Sequence, residues 1–332
     1  MFDILGIEFF AFVGFVFAAY AVVGNDALQT LGTFINSNRR LHWSILFAFA
    51  AFILIAVFTY GWITNGGDPS YGKLDNTKKY PVFEVEWYHA IPPLALLILT
   101  RFGLPVSTSF LVLSIFASLS GMQSMLIKSG IGYIAAFLTG LIGYALLAPT
   151  IERYFLRTKD SQHNPIWVVL QWVTTAYLWS VWLIQDFANI FVFLPRELSV
   201  TQSFAAMGVI VLMLAFTFAN RGGPVQKILE SKTAVTDIRS ATIIDFIFAT
   251  LLFIFSGNLE ILGISKVPMS TTWVFLGLIA GREYAIATID KIRTVGETTK
   301  IVAMDGAKAL FGLFVSVVLA VGLPMLAQYM GG

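Results

Sequence analysis

The sequence predicts an all-α polytopic membrane protein: two inverted repeats of about five transmembrane segments each, with broken or re-entrant helices meeting at the midplane. Three observations lead there. The composition is too apolar for a soluble domain, long apolar segments flank one central polar break, and two polar motifs each occur twice.

Of the 332 residues, 57% are hydrophobic and only 12% are charged, and the mean hydropathy is +0.79. A soluble domain carries about 25% charged residues. Runs at 43–63, 199–219 and 299–328 are long enough for a bilayer core, which needs roughly 20 apolar residues at about 1.5 Å rise each. Strand-period alternation, the mark of a membrane barrel, is absent. There is no cysteine, so no disulfide framework and no thiolate metal site is available. The three histidines (His42, His89, His163) are too far apart in sequence to suggest a metal pair. No GxxxxGK[ST] phosphate loop occurs, and nothing supports nucleic-acid binding. The first apolar segment follows no basic stretch and precedes no small-residue cleavage site, so it is expected to stay as a membrane helix.

The apolar segments fall at about 6–24, 42–64, 88–101, 104–122 and 126–151, then at 166–184, 199–219, 241–257, 265–281 and 299–328. The stretches 88–101 and 104–122 are short enough to be halves of a re-entrant hairpin. The polar break at 152–164 divides the chain into a first repeat (1–151), a cytoplasmic connector and a second repeat (165–332). "GNDALQ" at 24–29 matches "IQDFAN" at 184–189, pairing Asp26 with Asp186. "LPVSTSF" at 104–110 matches "VPMSTTW" at 267–273, pairing Pro105 with Pro268. The same order at nearly the same offset indicates an internal duplication.

Charge placement supplies the orientation. With the N-terminus outside and every segment crossing, the inside loops hold 14 Lys and Arg residues and the outside loops six, Lys128 counted among them. That bias follows the positive-inside rule and puts both termini outside. Five crossings per repeat is an odd number, so the repeats are inverted, an arrangement that places substrates near the midplane.

A carboxylate at the bilayer centre costs at least about 2.5–3.5 kcal/mol on insertion scales, so it faces a cavity or a partner. Asp26 is flanked by Asn25 and Gln29, and Asp186 by Gln185 and Asn189. Each cluster is an oxygen-rich set suited to a small hard cation such as sodium, which carbonyls freed from an unwound helix would complete. The plainer alternative is that each Asp caps a helix at the interface. In the second motif, Ser107, Thr108 and Ser109 follow Pro105, and Ser270, Thr271 and Thr272 follow Pro268. Proline in a first helical turn, preceded by Gly103 or by Gly263 and Ser265, marks helix starts inside the membrane. Hydroxyl and N–H donors at two such positive helix ends would cradle one tetrahedral oxyanion with no fixed cation. Ordinary Ser/Thr helix packing is the alternative.

Weaker signals remain. Asp305 and Lys308 stand three apart and read as a mutually neutralising pair, and Asp245 reads equally well as a cap or a functional group. Trp167, Trp172, Trp179 and Trp182 read mostly as lipid-facing and interfacial anchors. Residues 220–240 form a polar inside loop.

These paired motifs resemble those of the inorganic phosphate transporter (PiT) family, which carries a duplicated "GANDVANAxGT"-like motif and a duplicated "GLPVSTTH"-like motif. Here they stand as "GNDALQTLGT" (24–33) with "QDFANIFVF" (185–193), and as "GLPVSTSF" (103–110) with "KVPMSTTW" (266–273). The resemblance covers most of the chain and implies a sodium-coupled importer of inorganic phosphate, in a cell membrane, without a cofactor and, as in relatives that form dimers, as a homodimer. It assigns Asn25, Asp26, Gln29, Gln185, Asp186 and Asn189 to cation and substrate coordination, and the six Ser/Thr residues to the oxyanion. The sequence departs from the family at Gln29 and Gln185, which replace Asn, and at Phe110 and Trp273, which replace His. Sulfate as substrate or protons as coupling ion are the close rivals. A channel and a membrane enzyme acting on phosphorylated lipids are the distant ones, and the enzyme lacks a nucleophile beside a base.

Overall fold

A computed structural model describes residues 3–4, 6–102, 106–147, 153–158, 164–220, 237–256, 266–289 and 294–331. After a two-residue hairpin of β1 (Asp3–Ile4) and β2 (Ile7–Glu8), the chain enters α1 (Phe9–Ala21). A π-helical turn, Val22–Asp26, then leads into α2 (Ala27–Ser37). The apolar segment at 6–24 is thus only half of a longer element, and Asn25 and Asp26 lie in its interior.

Helix α3 (Trp43–Thr64) starts at His42, whose Nδ1 accepts from the Ser44 N–H at 3.3 Å. A folded loop and a 3₁₀ turn (Trp87–Ala90) lead into α4 (Ile91–Arg101), whose first turn holds proline. Next come α5 (Thr108–Leu113) and α6 (Leu119–Leu147). Beyond α7 (Arg153–Arg157) lie α8 (Ile166–Phe191), α9 (Val200–Ala219), α10 (Ile238–Ile254), α11 (Thr271–Ile289) and α12 (Val295–Gly331). Among the described residues, five helices are long and apolar enough to cross a membrane: α3, α6, α8, α9 and α12.

Segment 104–122 is not a span. Helix α5 has six residues, about 9 Å at 1.5 Å each. The chain turns behind it because Ser118 captures the Gly121 N–H at 3.2 Å and starts α6 at Leu119. Lys128 consequently sits inside α6 rather than in an outside loop, buried with 5% exposure.

Helix α1 packs against α4 and α8 against α10, while α5 packs against α12 and α11 against α6. The α6–α11 pair is the most extensive. Gly277 and Gly281 of α11 lie against the Tyr133 and Phe137 carbonyls of α6, and Gly140 of α6 lies against the Leu278 carbonyl. A Cβ at any of the three would collide with backbone. Small residues four apart allow this approach between membrane helices.

Helix α8 runs through the centre. Trp179 and Trp182 are fully buried, stack at 5.1 Å, and Trp179 Nε1 donates to the Ala50 carbonyl at 3.0 Å. These two tryptophans are core residues rather than lipid-facing anchors, because the face of α8 that carries them also carries Gln185 and Asp186 toward its neighbours.

Candidate functional site

The second copies of both motifs meet. Gln185, Asp186 and Asn189 occupy the last turns of α8 and are 0%, 1% and 0% exposed. Asp186 Oδ1 accepts from Asn189 Nδ2 at 2.6 Å, and Asp186 Oδ2 accepts from Thr271 Oγ1 at 3.1 Å. Asn and Asp three apart on a helix share a face, which sets the first bond. The second joins α8 to the start of α11 across 85 residues.

The two Ser/Thr motifs also meet. Ser109 Oγ donates to the Met269 carbonyl at 2.8 Å, and the rings that follow the motifs, Phe110 and Trp273, make an edge contact at 5.2 Å. Local chemistry is the same in both copies. Ser107 Oγ accepts from the Phe110 N–H at 3.2 Å, and Ser270 Oγ accepts from the Trp273 N–H at 3.1 Å, each serine satisfying an orphan donor of the helix it begins. The Ser270 N–H donates in turn to Ser129 Oγ of α6 at 2.8 Å. Thr108 and Thr272, buried at 2% each, complete the cluster.

Two expectations change. Pro268 is not in the first turn of α11. It stands two residues before Ser270, which caps the helix, and contributes to the extended approach through 267–270. Nor do two equal helix dipoles meet, because a six-residue α5 carries little of one. The 19-residue α11 supplies the positive end, and α5 supplies hydroxyls. Gly103 and Pro105 lie outside the described residues, as do Gly263 and Ser265.

The side chains of Asn25, Asp26 and Gln29 also lie outside the described residues. The backbone that carries the first two is π-helical, a local break of the kind that collects at functional positions. The second copy differs, since α8 is continuous through Gln185 and Asp186 and frees no carbonyls there.

Two lysines stand near the site, where no basic side chain was expected. Lys128 Nζ donates to the Val267 carbonyl at 2.8 Å. Lys73, from the loop after α3, is 3% exposed and donates to Gln185 Oε1 at 2.9 Å and to the Ser256 carbonyl at 3.2 Å. Burial, and after it the Lys128 charge, holds the Lys73 amine well below the usual lysine range, with Asp186 pulling the other way. Sequence reasoning missed Lys73 because a lysine in a Gly- and Asp-rich loop reads as solvated. Lys128 was missed as well, counted in an outside loop although it lies inside an apolar run.

Asp245 belongs to a separate buried cluster on α10. It accepts from Thr33 Oγ1 at 3.1 Å and from Thr175 Oγ1 at 3.2 Å. It lies in the third turn, and the cap is Asp237, whose side chain accepts from the Arg239 N–H at 2.9 Å. Asp305 lines an apolar groove of about 340 Å³ between α6, α11 and α12.

A solved structure, described as "The sodium-dependent phosphate transporter", is similar over 96% of this chain and 98% of its own, with a TM-score of 0.64 and 14% identity. This chain has that fold. No family model and no curated protein matches the sequence. The shared fold and the five long apolar helices make the chain a helical membrane protein.

Proposed function

We propose that the chain is a divergent member of the PiT family: a secondary active transporter, not an enzyme, that imports inorganic phosphate coupled to sodium by alternating access. One observation carries the proposal. The Met269–Thr271 stretch is held by Ser109 on one side and by Asp186 on the other, so both Ser/Thr motifs and one carboxylate converge. The similarity to a transporter of that description supports the substrate and the coupling ion.

The chemistry follows from charge. Ser107, Thr108 and Ser109 with Ser270, Thr271 and Thr272 provide hydroxyl and N–H donors for a tetrahedral oxyanion at the positive end of α11. Bare carboxylates at Asp26 and Asp186 would repel a dianion. Sodium, carried as a second substrate by Asn25, Asp26 and Gln29 in the first motif and by Gln185, Asp186 and Asn189 in the second, neutralises them first. Phosphate can donate a hydrogen bond to a carboxylate and sulfate cannot, so a carboxylate beside the Ser/Thr cluster favours phosphate.

The repeats are assigned to 1–151 and 165–332, joined by the cytoplasmic connector at 152–164. The exchanged packing of α1 with α4 and α8 with α10, and of α5 with α12 and α11 with α6, supports an inverted relation. Both termini are placed outside a cell membrane. Uptake by reconstituted Asp26→Asn protein tests the reading: sodium-driven phosphate uptake is expected to vanish while the protein still folds, and unchanged uptake refutes it.

A further inference from the structure

We infer that Lys73 permanently fills the cation position of the second motif, so that sodium binds at one fewer place than two symmetric motifs would provide. The inference rests on the sodium-coupled reading above and modifies it. The first motif offers Asn25 at the position where the second offers Gln185. An ion at the second position would draw on the Gln185 side-chain oxygen and on the carbonyls ending α10. Those groups are already engaged. Lys73 Nζ takes Gln185 Oε1 at 2.9 Å and the Ser256 carbonyl at 3.2 Å, and Gln185 Nε2 turns to the Leu252 carbonyl at 3.1 Å. The C-terminal end of a 17-residue helix is where a cation is favoured, and the chain's own amine occupies it.

The loop is built to deliver that amine. Asp68 accepts from the Ser70 N–H and Ser70 Oγ at 2.7 Å each and from the Gly72 N–H at 2.9 Å. Tyr71 adopts φ 59°, unusual for an aromatic residue, and Gly72 follows at φ 69°. Two successive left-handed residues reverse the chain just before Lys73. The Tyr71 hydroxyl donates to the Val57 carbonyl, and the Leu198 N–H donates to the Gly67 carbonyl at 2.9 Å, which fastens the loop to α3 and to the chain just before α9. A solvated loop lysine needs none of this. Asp186, Lys128 and Lys266 are the charged groups whose fields reach the amine.

The experiment compares the full-length protein with Lys73→Ala and Lys73→Met in detergent, following thermal unfolding across NaCl concentrations against choline chloride. Alanine opens the space and frees the oxygens; methionine fills the space without an N–H donor. The slope of stability against the logarithm of sodium concentration counts bound ions and is expected to rise by about one ion in Lys73→Ala relative to wild type. Lys73→Met is expected to keep the wild-type slope. An unchanged slope in Lys73→Ala, or an equal rise in Lys73→Met, overturns the inference. Should Lys73→Ala not fold, Lys73→Ser carries the same comparison. Wild-type phosphate uptake is measured in parallel: its absence overturns the phosphate reading alone, and the slopes still decide the role of Lys73.

Discussion

Thr271 Oγ1 donates to Asp186 Oδ2 at 3.1 Å, so the first residue of α11 and the last turns of α8 share a buried hydrogen bond. Asn189 occupies the other carboxylate oxygen at 2.6 Å. A buried carboxylate held this way is oriented toward the Ser/Thr cluster and partly compensated for its lost hydration.

Asp186→Asn keeps the shape and removes the charge. Hydrogen bonds to charged groups contribute about 1.5–3 kcal/mol, so sodium-driven uptake is expected to fall by roughly 10- to 100-fold. Initial rates at equal reconstituted protein provide the measurement, and wild-type rates would show that the carboxylate is not needed.

Ser109→Ala removes the tie to the Met269 carbonyl. A neutral hydrogen bond contributes about 1 kcal/mol, which corresponds to roughly a fivefold rise in the phosphate concentration giving half-maximal uptake. A concentration series under a fixed sodium gradient reads this, with chromatography in detergent confirming an intact fold.

Gly281→Leu forces a side chain into the Phe137 carbonyl of α6, whereas Gly208 has open space around it. Overpacking costs about 1–3 kcal/mol, so Gly281→Leu is expected to melt well below wild type and Gly208→Leu close to it. Equal melting of the two variants would mean that the α6–α11 glycines do not set the packing.

Asp68→Ala removes three hydrogen bonds that shape the loop before Lys73. The loop is expected to be cut faster by added protease, and the sodium slope to move toward that of Lys73→Ala. A wild-type slope combined with a readily cut loop would show that Lys73 reaches Gln185 without the loop's order.

Much of this was legible in the sequence because membrane insertion writes itself in composition, and the paired polar motifs stood out by their order and spacing. Asp186 and Thr271 could be assigned to one site, although nothing local placed them in contact. The length of α5 was hidden, since an apolar run does not show that the helix stops at Leu113 or that Ser118 starts the next one. Trp179 and Trp182 looked like interfacial anchors because aromatic content does not say which face of α8 meets protein. The GxxxG at 277–281 was available as a packing signal. Lys73 left no mark of its own, since its role depends on Tyr71 and Gly72 turning the chain and on Gln185 lying opposite.

Uptake of labelled phosphate into proteoliposomes, with sodium and pH gradients imposed separately and unlabelled sulfate as competitor, tests the central claim most directly. Phosphate should accumulate under an inward sodium gradient well above a choline control, with little competition from sulfate and no need for a pH gradient. Accumulation driven only by protons, equal competition by sulfate, or no accumulation above the control would contradict it.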